Sequence, residues 1–525
     1  MELRRYLTRF FFWGILSLVT VVSGQTLPIS WGPLETARGT LLDILPINGA
    51  DFYAFRYTGS LIGAYRLNTY NQLAFTSQQR IKPVTETGYA NIESSAYFAG
   101  NFQVFLSDKT GSTMRMYSQS IREGEKNAPS EVRCSYEDAR LGARPNFKLI
   151  LSQNQQYLAI IYEIPGRREN RDLYGYVIYD STFQEIKRGE YLMPFEGNMS
   201  TIMQSHLTNS GAYLIAVTEY KDRNDRYFGK SWENFKALHI YKINQDSLVE
   251  FKVQLEDKRI DDLKMSSNNS GLVSISGLYG SGKNQGINGI FSVTLNLQID
   301  SILGYKYAPF DMELLQEYQS DAQSNKMNRT TNPSDNPQVY SYKLRQIQSL
   351  EDSGQICYLE QYYERQFNNY DSKTGITNVY YYYYYMDILV VKIGSDGSYI
   401  WGKRIPKNQI SLNDRGPFSS FIGFNNQQYS YILFNDHKKN YEEDGSFTRN
   451  LKNLYGMDVN TRQNVVALVK VDLSTGNLDR KTLFSRQELS SIAVPKTMKV
   501  DWKNKEVLMY AVNKNREKFG IISFK

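Results

Sequence analysis

The chain has 525 residues, with 61 Lys and Arg against 54 Asp and Glu and a formal charge of +7. These charges interleave along the whole length, which excludes the concentrated basic face that nucleic-acid binding requires. Tyrosine (41) and phenylalanine (26) are abundant while cysteine occurs twice, so aromatic-rich strands rather than a disulfide framework are expected to hold the fold.

The first element in chain order is a leader. Arg4, Arg5 and Arg9 precede an uncharged apolar stretch from Phe10 to Val22, followed by Ser23, Gly24 and Gln25. The stretch is shorter than the roughly 20 apolar residues of a spanning helix and has the flanks of a secretory signal peptide. Residues 1–24 are read as that signal peptide, and no transmembrane segment is expected after its cleavage. No cysteine near residue 25 offers a lipid attachment point. Residues 25–525 are read as one domain, exported to a periplasmic, outer-membrane-associated or extracellular location.

From there on one local pattern returns: an apolar run, a turn of Asn, Gly, Ser or Gln, then an alternating strand rich in Tyr, Ile, Val and Leu. It begins near residues 44, 96, 149, 205, 263, 347, 421 and 498. The period of two predicts strands that bury one face and show the other. A second hairpin follows most of these, as in YGYVIYDSTFQEIKR and ALVKVDLSTGNLDRK, which makes four strands per unit. Four-stranded units repeated along a chain predict an all-β fold of the β-propeller type, in which packed blades hide the edges of each sheet. Eight blades are expected. Seven is the alternative, because the outer hairpin of the second unit, around residues 112–134, is poorly marked. The eighth unit runs out at FGIISFK, one strand short, and LPISWGP from residue 27 either supplies that strand or is a loose arm.

The stretch MDILVVKIGSDGSYIWGKRIP (residues 386–406), with the weaker VVALVKVDLSTGNL (465–478), resembles the repeats of secreted bacterial β-propellers of the SBBP type, common in exported Bacteroidota proteins. Gly397 and Trp401 match the turn and the outer-strand aromatic of that repeat. The resemblance covers about two blades. It implies a propeller fold and an envelope or extracellular location, and brings no catalytic residues with it.

Residues for catalysis or metal binding are sparse. His206, His239 and His437 have no His or Cys at ligand spacing. The acids Glu442, Glu443 and Asp444, and the pair Asp261 and Asp262, are read as solvated neighbours rather than an acid and base at fixed separation. GSGKNQG (280–286) lacks the spacing of a phosphate loop and lies in a hairpin. No cofactor and no enzyme activity are expected.

The connections carry the functional expectation. Turns between strands one and two, and three and four, of each blade share one rim and are short. Every long insertion falls on the other rim, with long loops read at 221–235, 306–345, 364–383 and 436–463 and a shorter one at 164–172. Rigid scaffolds place function on such loops. Arg167, Arg168 and Arg171 share one insertion, and Arg223, Arg226, Tyr227 and Trp232 another. A run of tyrosines includes Tyr380, Tyr382 and Tyr384. Tyr, Trp and Arg dominate recognition surfaces because they bury much area and keep a polar handle. The tyrosine run reads either as part of that surface or as the start of an outer strand. The expected function is a non-catalytic interaction or scaffold module with one or more protein partners; the alternative is a carbohydrate-binding or carbohydrate-active propeller with a glycan ligand.

Overall fold

The computed structural model describes residues 27–525 except 60–63, 126–127, 169–170, 198, 223–233, 254–256, 269–270, 282–285, 311–313, 315–340, 449–453, 458 and 460–461. The expected signal peptide lies outside these residues. The described chain is mostly strand, and antiparallel neighbours in sequence pair into sheets of four or more strands, apart from the two-stranded pair Val84–Thr85 and Gly88–Tyr89. In chain order the sheets span residues 40–81, 91–137, 147–196, 200–252, 258–309, 342–412, 422–485 and 492–523, here called the first to the eighth.

The second unit, poorly marked in sequence, holds four strands like its neighbours. Its third and fourth strands, Thr113–Ile121 and Glu131–Glu137, pair from Thr113↔Glu137 to Ser118↔Glu131. The connection of residues 122–130 is long and polar, and that hides the hairpin from a reading based on tight turns. In the eighth sheet Ile29–Trp31 lies beside Arg516–Ser523, with Ile29 opposite Ile522 and Trp31 opposite Gly520. A Cβ at residue 520 would sit 2.6 Å from the Trp31 ring, so only glycine admits the indole there.

Each hydrophobic cluster lies between two sheets. Phe55 and Leu67 of the first meet Phe102, Val104 and Tyr117 of the second. Met116 and Phe105 of the second meet Ile160 and Val177 of the third. The same holds between each later pair of neighbours. Ile44, Phe52 and Ala54 of the first sheet pack on Leu508, Tyr510 and Phe519 of the eighth. Each such side chain withdrawn from water contributes about 1.5–3 kcal/mol. Four-stranded antiparallel sheets stacked face to face in chain order are the blades of a β-propeller.

This stacking changes one expectation. Period two predicts strands buried on one face, yet the second strands are buried on both, as in Tyr213–Tyr220, where the first six residues are all inside. A neighbouring sheet covers each side, so apolar residues run continuously there. Cys134, on the fourth strand of the second sheet, and Cys357, on the second strand of the sixth, are free and buried. Burial pushes both thiols up to about 12. Among the described residues no helix is long and apolar enough to cross a membrane.

Candidate recognition surface

The two rims differ as strand connectivity dictates. On one, turns such as 49–50, 72–73, 99–100 and 245–246 take two residues, although the long connection 122–130 of the second sheet also falls on this rim, against the expectation that long insertions keep to the other. On the other, the strands ending at Tyr220, Pro309, Ile405 and His437 lead into connections that are longer in sequence.

The segment 364–383, expected as a long loop, is instead a β-hairpin. Gln355–Asp371 and Ile376–Ile393 pair continuously from Tyr362↔Tyr385 to Asp371↔Ile376, around a turn with Gly375 at φ +68°. Both arms are rich in aromatic residues, and cross-strand aromatic pairs stabilise such a ladder. Gln409–Leu412 adds a third strand beside Tyr382–Tyr385. Beyond it, from Gln366↔Tyr381 to the tip, the described residues form a two-stranded ribbon about 20 Å long.

Directly opposed residues share a face, so Tyr380, Tyr382 and Tyr384 stand with Phe367, Arg365 and Tyr363 on one side of the hairpin. Tyr363 and Tyr384 stack with centroids 4.5 Å apart, and Phe367 meets Tyr382 edge-on at 5.2 Å. The Arg365 guanidinium lies 5.4 Å from the Tyr363 ring and 5.8 Å from that of Tyr384. The other face holds the anchors, because Tyr383 and Tyr385 are buried. Tyr363, Arg365 and Phe367 were not singled out in the sequence; the period of two aligns the tyrosines, but only the register brings the opposite arm onto their face.

A buried charged network fixes the root of the hairpin. Lys407 and Glu360 are fully enclosed and 2.9 Å apart. Lys407 Nζ also donates to the Tyr385 carbonyl at 2.9 Å and to Gln409 Oε1 at 3.0 Å, which uses all three of its protons. Glu360 Oε2 accepts from Arg345 Nε and Ser420 Oγ, each at 2.9 Å. Desolvation lowers the Lys407 pKa, with the Glu360 charge opposing. Such perturbed groups mark catalytic sites when they face a substrate. Here every proton of the amine is committed to a protein acceptor, and the network locks the 406–421 connection against the hairpin.

The remaining expected residues divide. Insertion 164–172 is the tip of the hairpin formed by Tyr157–Arg168 and Arg171–Asp180, with Arg168 opposite Arg171 and Arg171 opposite Glu196. Arg167 and Arg168 are described in backbone only. Arg223, Arg226, Tyr227 and Trp232 lie outside the described residues, as do 311–313 and 315–340 of the segment 306–345. In 436–463 the first part is packed down: Arg480 Nε donates to the Tyr441 hydroxyl at 2.9 Å, its guanidinium lies 4.0 Å from the Phe447 ring, and it pairs with buried Asp436.

No protein-family model matches the chain, and no curated protein matches it. Among solved structures it is similar to the WD40 domain of SCAP from fission yeast, at 10% identity over 95% of this chain and 94% of that one, TM-score 0.37. It is also similar to prolyl oligopeptidase B from Galerina marginata, at 12% identity over 93% of this chain and 55% of that one, TM-score 0.37. An uncharacterized protein from Listeria monocytogenes matches at 8% identity over 80% and 91%, TM-score 0.34. At such values the likeness says nothing of what this chain does.

The histidines make local contacts. His206 Nε2 lies 3.1 Å from Ser267 Oγ, His239 lies between Glu250 and Glu219 at 2.8 and 3.2 Å, and His437 Nδ1 accepts from the Lys439 amide at 3.1 Å. Asp444 caps its own turn by accepting from the amide and hydroxyl of Ser446 at 2.9 and 2.6 Å. Among the described residues no group of three or more His, Cys, Asp or Glu is set to hold a metal ion.

Proposed function

We propose that this chain is a non-catalytic interaction module that engages a protein partner through its long-connection rim, with the tyrosine face of the sixth-sheet hairpin as the projecting contact. The observation that carries this reading is that face: Tyr380, Tyr382 and Tyr384 aligned with Tyr363, Arg365 and Phe367 on a hairpin whose root is buried and locked. Aromatic and arginine anchors on a rigid support are what recognition surfaces use, since little conformational entropy is lost when they are covered. In this reading the eight sheets form one closed eight-bladed ring. The pairing of Ile29–Trp31 with the last strand and the cluster shared by the first and eighth sheets support it.

The apolar leader and the resemblance of residues 386–406 to secreted bacterial repeats support export to the envelope or exterior. N-terminal sequencing of the mature protein from its native host should begin near Gln25; a chain that retains Met1 would overturn export with cleavage. The main test replaces residues 367–380 by Asn-Gly, joining Gln366 to Tyr381. Wild type should retain a stoichiometric partner from envelope extracts and the shortened variant should lose it, with both melting alike. Unchanged capture would remove the hairpin beyond Gln366 and Tyr381 from the interface. The second reading, a carbohydrate-binding or carbohydrate-active propeller, is favoured by the same half-buried rings and the exposed Phe367, which suit stacking on a sugar. Binding on a glycan array, lost in the shortened variant, would support it instead.

A further inference from the structure

A second feature of the long-connection rim lies between the first and second sheets. There a cleft of about 500 Å3 is walled by Phe55, Tyr57 and Tyr65 on one side and Ile92 and Glu93 on the other, with Asp43 and Leu42 along the first sheet's inner strand. Tyr57 ends the second strand of the first sheet and Tyr65 begins its third. Their rings lie 5.2 Å apart, and Phe55 stacks on Tyr65 at 5.7 Å.

Both inner strands are irregular at this place. The register steps from Leu41↔Arg56 to Asp43↔Phe55, leaving Leu42 as an extra residue, and from Ser94↔Phe105 to Ile92↔Leu106, leaving Glu93 as another. A bulge re-aims the side chain that it inserts. Leu42 is 49% exposed and Tyr57 38% exposed, so apolar surface stays open to solvent here.

Asp43 and Glu93 line the cleft, and among its described lining residues there is no Lys or Arg; because Asp43 is already paired with Lys499, the free negative charge is that of Glu93. Asp43 is met at 2.8 Å by Lys499 from the eighth sheet, and Glu93 accepts a hydrogen bond from Ser107, which leaves its charge uncompensated by that contact. Aromatic faces are negative as well, so ring walls and carboxylates attract the same ligand: a cation on an apolar stem. The volume lies in the range of specific small-ligand sites and exceeds a single side chain.

We propose that this cleft receives an arginine or lysine side chain, with its flanking residues, from a protein partner docked on the long-connection rim. The proposal rests on the reading that this rim faces a protein. It adds a chemical preference: a partner segment carrying positive charge.

The test uses the full mature chain and fluorescein-labelled eight-residue peptides that differ only at one central position, occupied by Arg, Lys, citrulline or Glu. Polarisation should show the Arg and Lys peptides binding about tenfold tighter than the citrulline peptide, which keeps the shape and loses the charge, with the preference shrinking as salt rises. The Asp43→Asn/Glu93→Gln variant should lose that preference, and Tyr57→Ala should weaken the Arg peptide about fivefold through the lost ring face. Both changes are on partly exposed or open positions, and an unchanged melting temperature would show that the fold is kept; Tyr57→Ala alone suffices if the double variant unfolds. Equal binding of the Arg and citrulline peptides, or full Arg binding by Tyr57→Ala, would overturn the proposal. The hairpin-shortened variant separates the two ideas: it should still bind the Arg peptide while losing the native partner. Absence of Arg-peptide binding alongside hairpin-dependent capture would remove this inference and leave the proposed function standing.

Discussion

Tyrosine does opposite work in two parts of this molecule. At the seam between the first and eighth sheets, Tyr70 and Tyr510 are buried around an enclosed ion pair, Arg56 and Glu517 at 2.5 Å. The Tyr510 hydroxyl donates to Glu517 Oε2 at 2.9 Å, and Tyr70 stacks on Phe52 at 4.5 Å. On the sixth-sheet hairpin the same residue type lines a face that is only half-buried. The difference is position in the stack. A tyrosine between two sheets spends its ring on packing and its hydroxyl on a buried acceptor, while one beyond the reach of the next sheet keeps both for a partner.

The largest expected effect breaks the seam. Glu517→Gln leaves the Arg56 guanidinium enclosed without a counter-charge, and chemical denaturation should show a loss of about 3–5 kcal/mol. Trp31→Ala should cost about 2 kcal/mol by the same measurement, since the indole is partly buried between Gly520 and Phe484, 5.6 Å away centroid to centroid.

A different seam, between the fourth and fifth sheets, sharpens the contrast because it carries a neutral group. Burial lowers the His206 pKa to about 4. The unfolded chain, with the ring near its usual value of about 6.5, takes up the proton first. Stability should therefore be full above pH 6.5 and fall as the pH drops toward 4, by up to about 2 kcal/mol once partial exposure is allowed for. The His206→Gln variant should show a shallower loss over that range; an identical pH profile would mean the ring is not buried as described. The smallest stability effect belongs to the hairpin. Tyr380→Ala and Tyr382→Ala should each cost about 1 kcal/mol or less, because both rings are only half-buried, yet partner capture should fall strongly.

Much of the fold was legible. Strand, tight turn, strand, written twice per unit, needs only period two and turn chemistry, and both survive folding. The hairpin at 364–383 was not, because residues such as Asn368, Asn369 and Asp371 look like loop until Tyr380–Tyr385 is set against Tyr362–Phe367 as a ladder. The alternating expectation for second strands failed for the opposite reason: burial on both faces erases the alternation. At the candidate surface the tyrosines stood out by composition, whereas Arg365 and Phe367 join them only through register. The cleft at Leu42 and Glu93 depends on two bulges, which no local pattern announces.

The most direct test of the account places a photoreactive benzoyl-phenylalanine at Tyr382, on the open hairpin face, and in a second variant at Asn426, on the short-turn rim. After irradiation in the native host's envelope fraction, the Tyr382 variant should yield a discrete crosslinked partner band and the Asn426 variant none. A band from Asn426 with none from Tyr382 would place the interface on the wrong rim and contradict the division between seam and hairpin on which the function is read.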